Sequence, residues 1–451
     1  MTRCLRPLLL LLVAGCSIAA IGSNAQAHSG KQSYIYLGLF DDGVDGRVEI
    51  PTADLASVLG LEFGASPAAA AATAEENASL IRNYVGDHFG LGQGSTRWDL
   101  VFGDVGILPE AGNYAVVPFE VVRDFDSAPR SFVVEFDAII HANDQKDALL
   151  HIENDWGTGT FANEDDPIAN FSVGRTVQEI TLDDSSIVSS LLGARGVGSD
   201  AVRTNIDQIL FVVALVLPVG LVLRGSTVFG RAPSLPETAR RLGALLGISI
   251  VAHSLALWIV GLGIVEPSAR TTSILMAAAL LALAVFSVWP AARRHELVVV
   301  GALGLAQGLG LGTAFLASNL DRFDGIMPLV GFHLGVEIAI AIVAALTMAV
   351  LIPLRRTALA PVALYGTALV LCGYAVGWLI ERVADTSISM EEVANPLRVW
   401  PRNLWIVLGV VVVSAALYGW TASRGRLRPI AEPPAVSDPE TTARDESLVS
   451  P

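Results

Sequence analysis

MPLVGFHLGVEIAIAIVAALTMAVLI, residues 327–352, places one His and one Glu among 26 positions that are otherwise uncharged. About 20 apolar residues cross the ~30 Å of a bilayer's hydrocarbon core, so this run is long enough to span it. Backbone groups in lipid must bond within the segment, which makes the run a helix. His333 and Glu337 are four residues apart and share one face of that helix. An ionisable group at such a position costs roughly 3 kcal/mol unless it is paired or faces a cavity. The pair is therefore the first candidate for function.

Further apolar runs occupy 206–223, 242–264, 272–290, 297–318, 359–380 and 403–420. The expected fold class is a mainly α membrane protein, a seven-transmembrane-helix bundle (206–420) preceded by a small, mostly β exported domain with one helix. The net charge of −15 over 451 residues conceals two compositions. Between His28 and Asn205 there are 28 acidic and 10 basic residues, near −18, and the remainder sums to +3. A strongly negative soluble face repels phosphate and excludes nucleic acid as a partner. The apolar runs exclude a purely soluble enzyme and a disordered chain. Three Cys (Cys4, Cys16 and Cys372) exclude a disulfide framework.

Arg3 and Arg6 precede an apolar stretch that ends in small-x-small sites, so 1–27 reads as a signal peptide. Val13-Ala14-Gly15-Cys16 also fits a lipoprotein cleavage box. Cleavage after Ala27 would expose His28, whose amine and imidazole can chelate copper; a coincidental His there is the other reading. Residues 28–190 form the expected exported, periplasmic domain, with 191–205 as a juxtamembrane linker. Tyr34–Phe40 and Val44–Ile50 flank Asp41-Asp42-Gly43 and read as a hairpin. Ala68–Phe89 reads as one helix, and strands are expected at 114–122, 131–141, 147–153 and 171–182. The acidic clusters Asp41-Asp42/Asp45 and Glu164-Asp165-Asp166 lack a full calcium spacing and read as a solvated face. His88, His141 and His151 share no ligand-like spacing.

An exported N-terminal domain makes the first span run inward. The inner segments then hold Arg224, Arg231, Arg240, Arg241, Arg293, Arg294, Arg355, Arg356, Arg424, Arg426 and Arg428. The outer loops hold only Arg270, Arg322, Arg382, Arg398 and Arg402. Eleven against five obeys the positive-inside rule. The expected location is the bacterial plasma (inner) membrane, with the bilayer as partner and the C-terminus cytoplasmic. The tail 421–451 reads as disordered.

Other spans carry polar groups too. Asp207 and Gln208 open the first, His253 and Ser254 lie in the second, and Gln307 lies in the fourth. At ~1.5 Å per residue, His253 and Gln307 sit roughly 16 Å below the outer ends of their spans and Glu337 roughly 15 Å below. Imidazole plus carboxylate suits nickel, cobalt, copper or zinc. The expected metal ligands are His253, His333, Glu337 and Asp207, converging on one solvated chamber, with Gln307, Gln208 and Ser254 lining or orienting. Interhelical hydrogen bonding is the alternative use of the same groups. Gly304, Gly308 and Gly312 form a small-residue stripe for helix packing.

Four segments carry a resemblance: Asn205-Ile206-Asp207-Gln208-Ile209-Leu210-Phe211, Ala252-His253-Ser254-Leu255-Ala256-Leu257, Gly304-Leu305-Ala306-Gln307-Gly308-Leu309-Gly310, and Gly331-Phe332-His333-Leu334-Gly335-Val336-Glu337. In that order they resemble the HupE/UreJ family, in the branch with an exported N-terminal domain. Ala27-His28-Ser29 followed by Ser33-Tyr34 is similar as well. The resemblance implies nickel or cobalt permeation and partners in the maturation of hydrogenases and ureases. It also implies His at positions that here read Ala201, Gln208 and Gln307, and often Asn where this chain has His333. His253 and Glu337 match.

Three functions follow as expectations. The first is a transition-metal permease with an altered site, carrying the ion as cargo, with no permanently bound cofactor. The second is a non-transporting, membrane-anchored binding or assembly protein. The third is a metal-dependent intramembrane hydrolase built from Asp207, His253, Ser254 and His333. No nucleophile elbow, HExxH motif or phosphate-binding loop occurs in the sequence, so the chain is read as no enzyme and no ATPase.

Overall fold

The computed structural model of the chain describes residues 32–109, 113–123, 125–184, 186–223, 226–289, 295–384, 390 and 404–431. The leader expected over 1–27, His28, the loop arginines Arg224, Arg293, Arg294, Arg398 and Arg402, and the tail beyond 431 lie outside the described residues. The chain forms two compact units. The first comprises Met1–Val202, Trp258–Val265 and Gly312–Ala339; the second comprises Arg203–Leu257, Glu266–Leu311 and Ile340–Pro451.

In the first unit, Ser33–Phe40 (β1) and Gly43–Pro51 (β2) form the expected hairpin, with Tyr36 opposite Arg47. Ala148–Asp155 (β9) joins β1 in parallel, and Tyr114–Val121 (β7) joins β2 antiparallel, with Leu100–Phe102 (β5) and Gly106–Leu108 (β6) paired to β7. β1 is central and buried along its whole length. Its alternating faces bury two different sets. Ile35, Leu37 and Leu39 enter the main core, while Tyr34 and Tyr36 cluster with Tyr114. A second sheet has the order Val177–Thr181 (β11), Ser131–Phe136 (β8), Phe89–Gln93 (β3) and Thr96–Arg97 (β4). Phe89, Phe132, Phe136 and Phe171 belong to the same main core.

Among the described residues the domain holds three helices rather than one. Thr52–Leu59 (α1) ends at Gly60, whose left-handed conformation (φ +69°) closes the helix through a bond to the Ala56 carbonyl. The single helix expected over 68–89 is two, Pro67–Glu76 (α2) and Ala78–His88 (α3). Asn77 divides them: its side-chain amide donates to the Thr73 carbonyl at 2.9 Å, in competition with the helical backbone. The strand expected over 171–182 is likewise two, Ala169–Phe171 (β10) and β11.

The linker expected at 191–205 lies mostly inside a helix, Ile187–Arg203 (α4). Ser190, Ala194, Gly198 and Val202 recur every four residues on its buried face. Small residues there admit a second backbone. A Cβ on Gly335 would meet the Arg195 carbonyl oxygen at 2.0 Å, and one on Gly198 would meet the Phe332 carbonyl oxygen at 1.9 Å.

Among the described residues, six helices are long and apolar enough to cross a membrane. They are Leu235–Gly261 (α6), Ala269–Val288 (α7), Glu296–Ala317 (α8), Met327–Leu354 (α9), Ala360–Ala384 (α10) and Ile406–Ser423, within Leu404–Ser423 (α11). Ile206–Leu221 (α5) has 16 residues, about 24 Å. It qualifies only when joined to α4 across the break at Thr204 and Asn205. The expected seven is therefore six among the described residues, or seven with that pair counted as one span. In the second unit α5, α7 and α10 bury Phe211, Leu215, Leu280, Leu283, Leu371 and Ala375 against one another. The tail is ordered further than expected: Arg428 donates to the carbonyls of Arg355 and Gly230, both at 2.7 Å.

Arg241, counted above as a loop charge, is buried. Its guanidinium lies 2.7 Å from Glu296 and donates at 2.6 Å to the Val222 carbonyl, capping α5 where Pro218 weakens the last turn. Removing one partner of a buried pair leaves an uncompensated charge. Arg241→Ala is expected to lower stability by about 3–5 kcal/mol. The double variant Arg241→Met/Glu296→Leu should lose less than either single truncation, as thermal unfolding in detergent would show.

Candidate functional site

The first unit contains His333 and Glu337, one turn apart on α9, with Nε2 of His333 3.1 Å from Oε1 of Glu337. Trp258, in the last turn of α6, donates its indole N–H to Nδ1 of His333 at 3.1 Å. An indole can only donate. Nδ1 therefore accepts, and the ring's hydrogen sits on Nε2, directed at the carboxylate. Each side chain keeps about a fifth of its surface accessible (22% and 23%). Nitrogen and oxygen ligands each about 2.0–2.2 Å from one ion are near 3 Å apart at right angles. The observed separation matches that value, so an ion could take the place of the shared hydrogen, provided that hydrogen moves to Nδ1 and the Trp258 bond is given up, because the ring coordinates as a neutral imidazole.

The approach to α9 is held by the β1–β2 turn. Arg322 donates to Asp42 at 3.0 Å and to Asp45, and its guanidinium lies 3.7 Å from the centre of the Phe40 ring. The Asp324 N–H donates to Asp41 at 2.8 Å. Phe323 packs against Phe40, Trp156 and Phe161, with ring centres 5.1–5.9 Å apart. The turn cluster read as a solvated acidic face is thus a clamp on one arginine. The other cluster is engaged at Glu164, which pairs with Arg47 at 3.0 Å. Burial raises the Asp45 carboxyl above its ordinary value, and Arg322 opposes that rise.

The second unit contains Gln208, Gln307 and His253, all buried. Gln307 donates its amide to Oε1 of Gln208 at 3.2 Å, joining α8 to α5. These are two of the positions at which the resemblance implies imidazole. Gly304 and Gly308 bring α8 close to α6: a Cβ on Gly308 would meet the His253 carbonyl oxygen at 2.2 Å, and one on Gly304 the Ser249 oxygen at 3.2 Å. Gly312, in the first unit, lies against Val260 in the same manner. Asp207 stands in the first turn of α5 and Ser254 follows His253, both partly buried.

Compared with known families, residues 177–382 match the model described as HupE / UreJ protein. No curated protein and no solved structure matches the chain. The HupE/UreJ segment begins in β11, includes α4 to α9, and stops within α10. It contains His333, Glu337, Gln208, Gln307 and His253. With this match, the helices long and apolar enough to cross a bilayer mark the chain as a membrane protein.

Trp258 and Arg322 were not singled out from the sequence. Trp258 lies 75 residues from His333, and Arg322 lies 277 residues from Asp45. No local pattern links either pair.

Two outcomes follow. Arg322→Gln should raise the Asp45 carboxyl further. The folded domain would then bind that proton more tightly than the unfolded chain does. Stability relative to wild type should be least impaired at acidic pH, below the ordinary carboxylate value, and should fall as pH rises toward neutrality; melts from acidic to neutral pH would show it. Trp258→Phe should cost about 1 kcal/mol and release the His333 tautomer. Nitrogen NMR of labelled histidine would show one hydrogen on Nε2 in the wild type and mixed tautomers in the variant.

Proposed function

We propose that the chain is a permease for a divalent transition metal, nickel or cobalt in type, with copper and zinc compatible with the same ligands. The supporting observation is His333 and Glu337 on one face of a membrane helix, at ligand separation. The ion is cargo: His333 offers Nε2 and Glu337 offers Oε1. His253 is proposed as a further ligand because its depth along its span matches that of Glu337 in the sequence, and Asp207 as a shallower one at the start of its helix. Gln307, Gln208 and Ser254 would hydrate or orient the ion. In this reading the N-terminal domain is exported, the C-terminus is cytoplasmic, and the protein has no enzymatic activity of its own.

One observation favours a second reading, a membrane-anchored metal-binding or assembly protein that does not transport. The buried Gln208–Gln307 bond replaces two imidazoles that the resemblance implies with a neutral amide pair. Amides are poorer nickel ligands than imidazole.

Reconstituted protein distinguishes the readings. Wild type should carry nickel or cobalt into liposomes, and His333→Ala/Glu337→Ala should abolish uptake and remove the ion bound by the membrane helices. Binding without uptake in the wild type would support the anchored reading. Unchanged uptake in the double variant would overturn the site.

A further inference from the structure

Three side chains that the sequence leaves unrelated meet at one edge of the N-terminal domain. His88 is the last residue of α3, Asp137 follows β8, and His141 lies four residues further on. Strand register brings them together: Phe89 pairs with Phe136, so the residue before one strand stands beside the residue after the other. Nδ1 of His88 lies 2.6 Å from Oδ1 of Asp137. The two imidazoles are parallel, 5° apart in plane, with centres at 4.1 Å. One ligand atom from each of the three residues lies within 4.8 Å of the other two.

The surroundings hold these groups in place. Tyr84 packs its ring 4.7 Å from His88 and 6.0 Å from His141, and its hydroxyl accepts the Ile139 N–H at 2.8 Å. Ile139 is buried in the left-handed region (φ +66°), where a β-branched residue is strained. This conformation belongs to the turn that carries Asp137 round to His141. Nδ1 of His141 lies 3.1 Å from the Asp137 carbonyl oxygen. A carbonyl only accepts, so that nitrogen carries the hydrogen and Nε2 presents its lone pair. Metal-bound histidines are usually oriented by such a backbone bond on the other ring nitrogen.

We propose that His88, Asp137 and His141 form a binding site for a divalent transition metal on the N-terminal domain, separate from the membrane helices. Two imidazoles and a carboxylate suit zinc, copper, nickel or cobalt rather than calcium or magnesium. Ligand atoms on one tetrahedral ion, each about 2.0–2.1 Å from it, are near 3.4 Å apart. Closure therefore asks for about an ångström of movement, which the exposed His141 can supply. Three protein ligands leave a coordination position for water or an exchanging partner. The partly exposed setting suits a site that loads and releases its ion. Binding here does not depend on His333 or Glu337, so it stands whether or not the chain transports metal.

The test uses the full chain in detergent, titrated with zinc and separately with copper. Protein carrying His333→Ala/Glu337→Ala should still bind one zinc through the N-terminal site. Adding His141→Gln, at an exposed position that leaves the fold intact, should weaken that binding by more than the roughly 10- to 100-fold that loss of an outer hydrogen-bond partner costs. Adding Asp137→Asn should weaken it too. The copper-loaded protein should show electron-resonance coupling to two imidazole nitrogens, reduced to one in His141→Gln. Zinc binding and copper spectra unchanged by His141→Gln, with an unchanged melt, would overturn the proposal.

Discussion

A single guanidinium joins the β-rich domain to the helix that carries the candidate site. Asp41, Asp42 and Asp45 crowd one hairpin turn, and such a turn repels itself unless a cation enters it. Arg322 supplies that cation with a planar set of donors, and it also lies over the Phe40 ring. Phe323 fills the apolar space beside it against Phe40, Trp156 and Phe161. Five residues after Arg322, α9 begins. Along the same helix, Gly331 and Gly335 let α4 approach to backbone distance, and Ser199 donates to the Gly335 carbonyl at 3.1 Å. The stretch bearing His333 is thus gripped before its first turn and along one face.

Several polar groups of the apolar helices are met across the fold. Such groups are expensive in a low-dielectric setting, and a partner distant in sequence offsets that cost. Arg241 is met by Glu296 and the end of α5, Gln208 by Gln307, and His333 by Trp258 and Glu337. Only the last combines a carboxylate with an oriented imidazole. The amide pair can fix helices but contributes little to holding a metal. That contrast is why the functional reading rests on α9.

Hydropathy and periodicity made much of the fold legible. The apolar runs became helices because backbone in hydrocarbon has no other way to satisfy its bonds. The hairpin around Asp41-Asp42-Gly43 was equally clear, since turn chemistry is local. Local reading failed where one side chain redirected the backbone. Asn77 splits a helix that composition alone would continue, and Gly60 closes one too short for periodicity to mark. The span count failed for a related reason: α5 is short, and whether it joins α4 depends on the geometry of the break at Asn205.

The amino-acid order by itself determined the class of molecule, the position of its apolar helices, and the shared face of His333 and Glu337. Each of these depends on neighbours within a turn or two. Only the tertiary structure decided what surrounds those residues: an indole that fixes the imidazole, an arginine drawn into an acidic turn, and two histidines set beside one aspartate by strand register. Those contacts join residues tens to hundreds of positions apart. Their pairing follows from packing and register, which no single segment encodes.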